Sequence, residues 1–135
     1  MSREASRRRS VRTERLVNSA RVSRPLETLT GRPLALFCGI GNPQAFRQTL
    51  LHLGGAVVAF RTFADHHAYT PRDLEALGTW AGQQARDCVI VTTQKDLVKL
   101  PLTQLGEREL WALRVRLHFT AGQEVLDRKL KEALG

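Results

Sequence analysis

From Pro33 onward the chain alternates short apolar runs with amphipathic stretches. Leu34 to Cys38 is continuously apolar, which predicts a strand buried on both faces of a parallel sheet. Gly39-Ile40-Gly41-Asn42-Pro43 predicts a turn into a helix, with Asn42 as N-cap and Pro43 in the first helical position. Phe46, Leu50 and Leu53 recur on one face of that helix, Gly54 and Gly55 stop it, and Ala56 to Phe60 predicts a second strand. After a polar segment, Thr70-Pro71 repeats the cap-and-proline signal. Asp73 falls in the first turn, and Leu74, Leu77 and Ala81 make the apolar face. Cys88 to Val91 reads as a third buried strand. Leu110 to Phe119 alternates apolar with polar residues, as an edge strand with one wet face would, and a last helix from about Gln123 carries Leu126, Leu130 and Leu134.

The order β-α-β-α-β implies an α/β fold: a small Rossmann-like sheet, mainly parallel, with right-handed crossovers and helices packed on both faces. Ahead of it, Leu16 to Val22 alternates around Asn18 and Ser19, which suit a turn, and Pro25, Gly31 and Pro33 punctuate a connector. The expected organisation is a disordered basic arm over 1–15, a linker with a short β-hairpin over 16–33, and a single α/β domain over 34–135.

Charge adds one feature. Of a net +8, most lies before Pro33, where nine arginines face Glu4, Glu14 and Glu27. Such an arm could engage nucleic acid or an anionic membrane surface. The alternative is a solvated tail, which is favoured here because no aromatic residue is interleaved with Arg7, Arg8 and Arg9 to stack on bases. No apolar run approaches the ~20 residues that cross a bilayer, and the arginine-rich start lacks the apolar stretch of a signal peptide. A cytoplasmic location is therefore expected. Cys38 and Cys88 lie inside apolar runs and read as buried reduced thiols.

Three polar motifs follow the carboxyl ends of the three predicted strands, the edge at which open α/β sheets bind ligands. Gly39 to Pro43 could offer backbone N–H groups to a phosphate, or be a tight turn; it is neither a Walker A loop nor GxGxxG. Asp65-His66-His67 sets two imidazoles beside a carboxylate, suited to proton transfer near neutral pH, or holds a loop histidine bonded to backbone. Neighbouring side chains in a loop diverge, so the two histidines are not expected to serve one centre. A metal site lacks further ligands. The run resembles that of the DHH phosphoesterases but lacks their upstream Asp-rich motifs. Thr92-Thr93-Gln94-Lys95-Asp96 could cap a helix and set Lys95 over an anion, or hold a local Lys95–Asp96 pair. Tyr69, Trp80 and Trp111 read as core or rim aromatics.

Taken together, Phe37-Cys38-Gly39-Ile40-Gly41-Asn42-Pro43, then Phe63-Ala64-Asp65-His66-His67-Ala68-Tyr69, then Val91-Thr92-Thr93-Gln94-Lys95-Asp96-Leu97-Val98-Lys99-Leu100 resemble the C-terminal domain of tetraacyldisaccharide 4′-kinase, over roughly Leu16 to Leu134. The resemblance implies transfer of the ATP γ-phosphate to the 4′-hydroxyl of a lipid A precursor disaccharide, giving lipid IVA, with Mg²⁺, at the cytoplasmic face of the inner membrane. It implies a partner, the N-terminal P-loop domain. It also implies a catalytic His66 preceded by Asp65, and substrate- or phosphate-facing loops with Gly39, Gly41, Asn42, Thr93, Lys95 and Asp96. The family pattern does not extend to His67. Gln94 stands where the family usually has Glu. With no P-loop of its own, the chain is expected to hold neither ATP nor Mg²⁺ tightly and to be inactive alone. The rival expectation is a non-catalytic module binding nucleic acid or an acidic partner through the arginine-rich arm.

Overall fold

The computed structural model describes residues 11–118, with side chains over 15–115. Two expectations therefore lie outside the described residues: the helix from about Gln123, and the part of the arm before Val11.

The elements run β1 (Val11–Val17), β2 (Ser23–Pro25), a 3-10 turn (Leu26–Leu29), β3 (Pro33–Cys38), α1 (Pro43–His52), β4 (Ala56–Thr62), α2 (Pro71–Gly82), β5 (Val89–Thr93), α3 (Gln94–Leu97), β6 (Gln104–Leu105) and β7 (Arg108–His118). The sheet order is β2-β1-β7-β5-β3-β4, with β6 paired to β7. β4, β3, β5 and β7 are mutually parallel, so the expected parallel α/β sheet is present.

Caps and prolines start the helices as the sequence indicates. Asn42 Oδ1 accepts the Ala45 N–H at 3.2 Å ahead of α1. Thr70 and Asp73 close a reciprocal capping box at α2, each side chain accepting the other's backbone N–H. α1 and α2 cover opposite faces because β3 and β5 are apolar on both. Leu34, Leu36, Cys38, Val89 and Val91 pack toward Phe46 and Leu50 of α1. Ala35, Phe37 and Ile90 pack toward Leu77 and Ala81 of α2. Since β3 leads to β4 on one side and β5 leads to β7 on the other, their carboxyl ends form a topological switch point.

Three expectations change. The arm expected over 1–15 is already strand from Val11, because β1 pairs with β7 from Val11↔His118 to Val17↔Ala112. Backbone pairing orders a segment whose composition alone offers little to bury. The 16–33 stretch is accordingly part of the sheet rather than a linker ahead of it: β1 and β2 form an antiparallel hairpin, and the turn is held by the Ala20 and Val22 N–H groups on Asn18 Oδ1. β7 is internal rather than an edge, because the N-terminal strand covers it. Leu110 to Leu113 are consequently all buried.

Candidate functional site

Two layers make up the carboxyl edge at the switch point. The inner one is built on Asp96, which is fully buried. Both its carboxylate oxygens accept the Gly39 N–H at 3.1 Å, one accepts the Tyr69 hydroxyl at 2.8 Å, and the other the Thr93 hydroxyl at 2.6 Å. The Asp96 N–H in turn donates to Thr93 Oγ1 at 3.1 Å, capping α3. One carboxylate thus ties the turn after β3, the loop after β4 and the cap after β5. A side chain on Gly39 would press on Ala64 O at 3.0 Å and on His67 Cβ at 3.2 Å, so glycine lets the two loops approach this closely. Burial, then Asp96, pushes the Tyr69 hydroxyl far above its usual range and the Cys38 thiol up to about 12. Tyr69 is therefore a fixed donor and Cys38 stays protonated.

The outer layer is the loop after β4, folded back by Phe63 N–H on Cys38 O (2.8 Å) and His66 N–H on Gly39 O (3.2 Å). His66 lies in the left-handed region at φ +62°, a conformation costing about 1 kcal/mol or more for a residue with a Cβ. The turn sends the two histidines apart. His66 points outward, its side chain 74% exposed, with Nε2 3.7 Å from Asp65 Oδ2. His67 turns inward, stacks on Phe63 with ring centroids 4.6 Å apart, and bonds Asp73 Oδ2 at 2.8 Å. Asp73, which also accepts the Thr70 N–H, is held below its ordinary value first by that bond and then by His67. Lys99 Nζ donates to His67 O at 2.8 Å.

Of the sequence-selected residues, the structure brings Gly41, Asp65, His66 and Lys95 to one exposed rim. Asp65 Oδ2 lies against Gly41, where an added Cβ would sit 3.2 Å from it, and Asp65 Oδ1 is 3.7 Å from Lys95 Nζ. Lys95 thus pairs across loops with Asp65, not locally with Asp96. Asn42 is occupied as a helix cap, and Thr93 and Asp96 face one another inside. Tyr69, expected only as a core or rim aromatic, holds the scaffold through its hydroxyl. Lys99, two residues past α3, is a further cation that meets this loop, through His67 O.

The chemistry on offer is proton transfer at His66, beside a carboxylate anchored by a lysine. Two of the turn's N–H groups are taken, Gly39 by Asp96 and Ala45 by Asn42, and Pro43 has none to offer a phosphate. Among the described residues no group of three His, Cys, Asp or Glu side chains could hold a metal.

Comparison with known proteins gives one family. The model described as tetraacyldisaccharide-1-P 4′-kinase matches residues 2–135. The tetraacyldisaccharide 4′-kinase of Methylobacterium radiotolerans is 42% identical over 120 residues, covering 88% of this chain and 35% of that protein. The protein of the same name from an Anaeromyxobacter species is 38% identical over 109 residues, covering 80% of this chain and 29% of that protein. A crystal structure of "apo" form LpxK from Aquifex aeolicus in complex with ATP aligns at a TM-score of 0.55 and 27% identity, over 90% of this chain and 35% of that one. The chain spans about a third of the length of the relatives it matches.

Proposed function

Because the chain belongs to the tetraacyldisaccharide-1-P 4′-kinase family, we propose that it acts as the C-terminal domain of a lipid A 4′-kinase. It would present His66 to the sugar hydroxyl that is phosphorylated, working against a companion P-loop domain. The observation that carries this is the outward His66, held in a costly backbone turn beside Asp65 at the edge where three loops converge.

In this reading His66 accepts the proton of the 4′-hydroxyl together with a carboxylate of the companion domain. Asp65 is a positioning residue that orients the imidazole, and Lys95 in turn holds Asp65. ATP and Mg²⁺ are held by the companion domain, and this chain's described residues bring no cluster of metal ligands to them. The complete enzyme would work peripherally at the cytoplasmic face of the inner membrane. Among the described residues no helix is long and apolar enough to cross a membrane. The relatives' names give the rival nucleic-acid reading no support.

The test joins the chain to the P-loop portion of a relative and measures turnover of the acylated disaccharide. His66→Ala should lower kcat by about 10²–10⁴, the usual contribution of general acid–base assistance. His67→Ala should cost far less in the fraction that folds, and the chain alone should turn over nothing. Near-wild-type turnover by a well-folded His66→Ala enzyme would refute the role.

A further inference from the structure

Beside the rim lies a groove of about 510 Å³ between the β1–β2 turn and α3. Its apolar lining comes from Val17, Leu97, Val98, Leu100 and Pro101. Leu97 and Leu100 are buried, whereas Val98 is 83% exposed and offers its side chain to the groove. The Ser19 hydroxyl donates to Leu102 O at 2.6 Å and fastens the hairpin turn to the segment after α3, so the two walls are tied together. The volume falls in the range of small-molecule sites, about 300–1,000 Å³.

Charge and position indicate the occupant. Among the described residues no acidic side chain lines the groove, while Arg21 and Arg114 do. At the other side Gln94 lines it, and the adjacent Lys95 belongs to the rim through Asp65. An apolar channel with arginines along it, opening beside a site for a sugar hydroxyl, matches a phosphorylated sugar that carries acyl chains.

Resting on the function proposed above, we propose that this groove seats one acyl chain of the sugar substrate, with Arg21 facing the substrate's phosphate. The groove then acts as a specificity element for chain-bearing over chain-free disaccharide. It contributes binding shared by ground and transition states, so it governs KM rather than kcat.

Two measurements test it. In the joined kinase, Val98→Asp places a charge at an exposed position that the fold does not need. KM for the acylated disaccharide should rise about tenfold, as expected from losing one or two buried methylene contacts, with kcat unchanged. KM for the deacylated disaccharide should not move. An equal KM for the acylated substrate in variant and parent, or an equal rise for both substrates, overturns the proposal. The second measurement needs no catalysis: the 135-residue chain is titrated with monomeric sodium decanoate and followed by methyl NMR. Saturable shifts at Val17, Leu97 and Val98, abolished in Val98→Asp, are expected. Absence of those shifts overturns the groove while leaving His66 in its role, and loss of turnover in His66→Ala does not bear on the titration. Methyl NOEs from Leu126 or Leu130 to Val98 in the free chain would assign the groove to residues 119–135 and would also overturn it.

Discussion

Removing the Asp96 carboxylate should loosen the whole carboxyl edge, and its cost can be worked out from the contacts. Asp96→Ala strands three donors: the Gly39 N–H, the Tyr69 hydroxyl and the Thr93 hydroxyl. Thr93 can rotate its hydroxyl toward another acceptor, but the Gly39 amide and the Tyr69 hydroxyl are fixed by the turn and by packing. At about 1–3 kcal/mol for each stranded buried donor, the loss is about 4 kcal/mol, a large share of the roughly 5–15 kcal/mol that holds a domain together. Asp96→Asn is milder. Its remaining oxygen can keep Gly39 and Tyr69, and only the Thr93 side meets an NH₂ group instead of an acceptor, a loss of about 1 kcal/mol. At about 4 °C per kcal/mol for a chain of this size, melting followed by circular dichroism should fall by about 16 °C for Ala and about 4 °C for Asn. If Asp96→Ala melted within about 2 °C of the parent, the carboxylate would not be the hub of this edge.

Three further outcomes follow from other contacts. Asp73 is held below its ordinary carboxyl value, so its bonds to Thr70 and His67 contribute stability above about pH 4 that is lost as pH falls toward the lowered value; acid titration of stability should show a shallower low-pH loss in Asp73→Asn than in the parent. With both cysteines buried and the Cys38 thiol pushed up to about 12, Ellman's reagent at pH 8 should find no reactive thiol in the folded chain and two in urea. Gly106→Ala would drive a Cβ into the Gly78 carbonyl and to 2.7 Å from the Gly82 amide, at a φ of +52°, and urea unfolding should record a loss of about 3 kcal/mol or more.

The parallel core was legible because burial on both faces leaves a simple trace: unbroken apolar runs at Leu34–Cys38 and Cys88–Val91, set off by cap-and-proline pairs. The convergence of the three polar motifs followed from topology, since parallel strands deliver their carboxyl ends to one edge. What composition could not convey was pairing. Val11 to Arg15 carries few apolar side chains, and it is ordered by backbone bonds to a strand about a hundred residues away. The same pairing turned the alternating β7 from an edge into an interior strand. Within the site, residue type indicated proton chemistry at Asp65-His66, but not which histidine faced out, because that depends on one left-handed φ. Lys95 and Asp96 are neighbours in sequence yet serve different layers, one on the rim with Asp65 and one buried under Gly39.

The pairing of β1 with β7 has a mechanical consequence. Val11 lies opposite His118, so the points where the chain enters and leaves the described body are side by side. A load pulling those two points apart falls on the ladder at that end and opens its bonds one after another, as a zipper opens, instead of shearing all seven residue pairs at once. β3, β4 and β5, which carry the three site loops, stand outside that line of force. A neighbouring domain tugging on residue 11 could peel back the hairpin strand while the rim formed by Asp65, His66 and Lys95 kept its geometry.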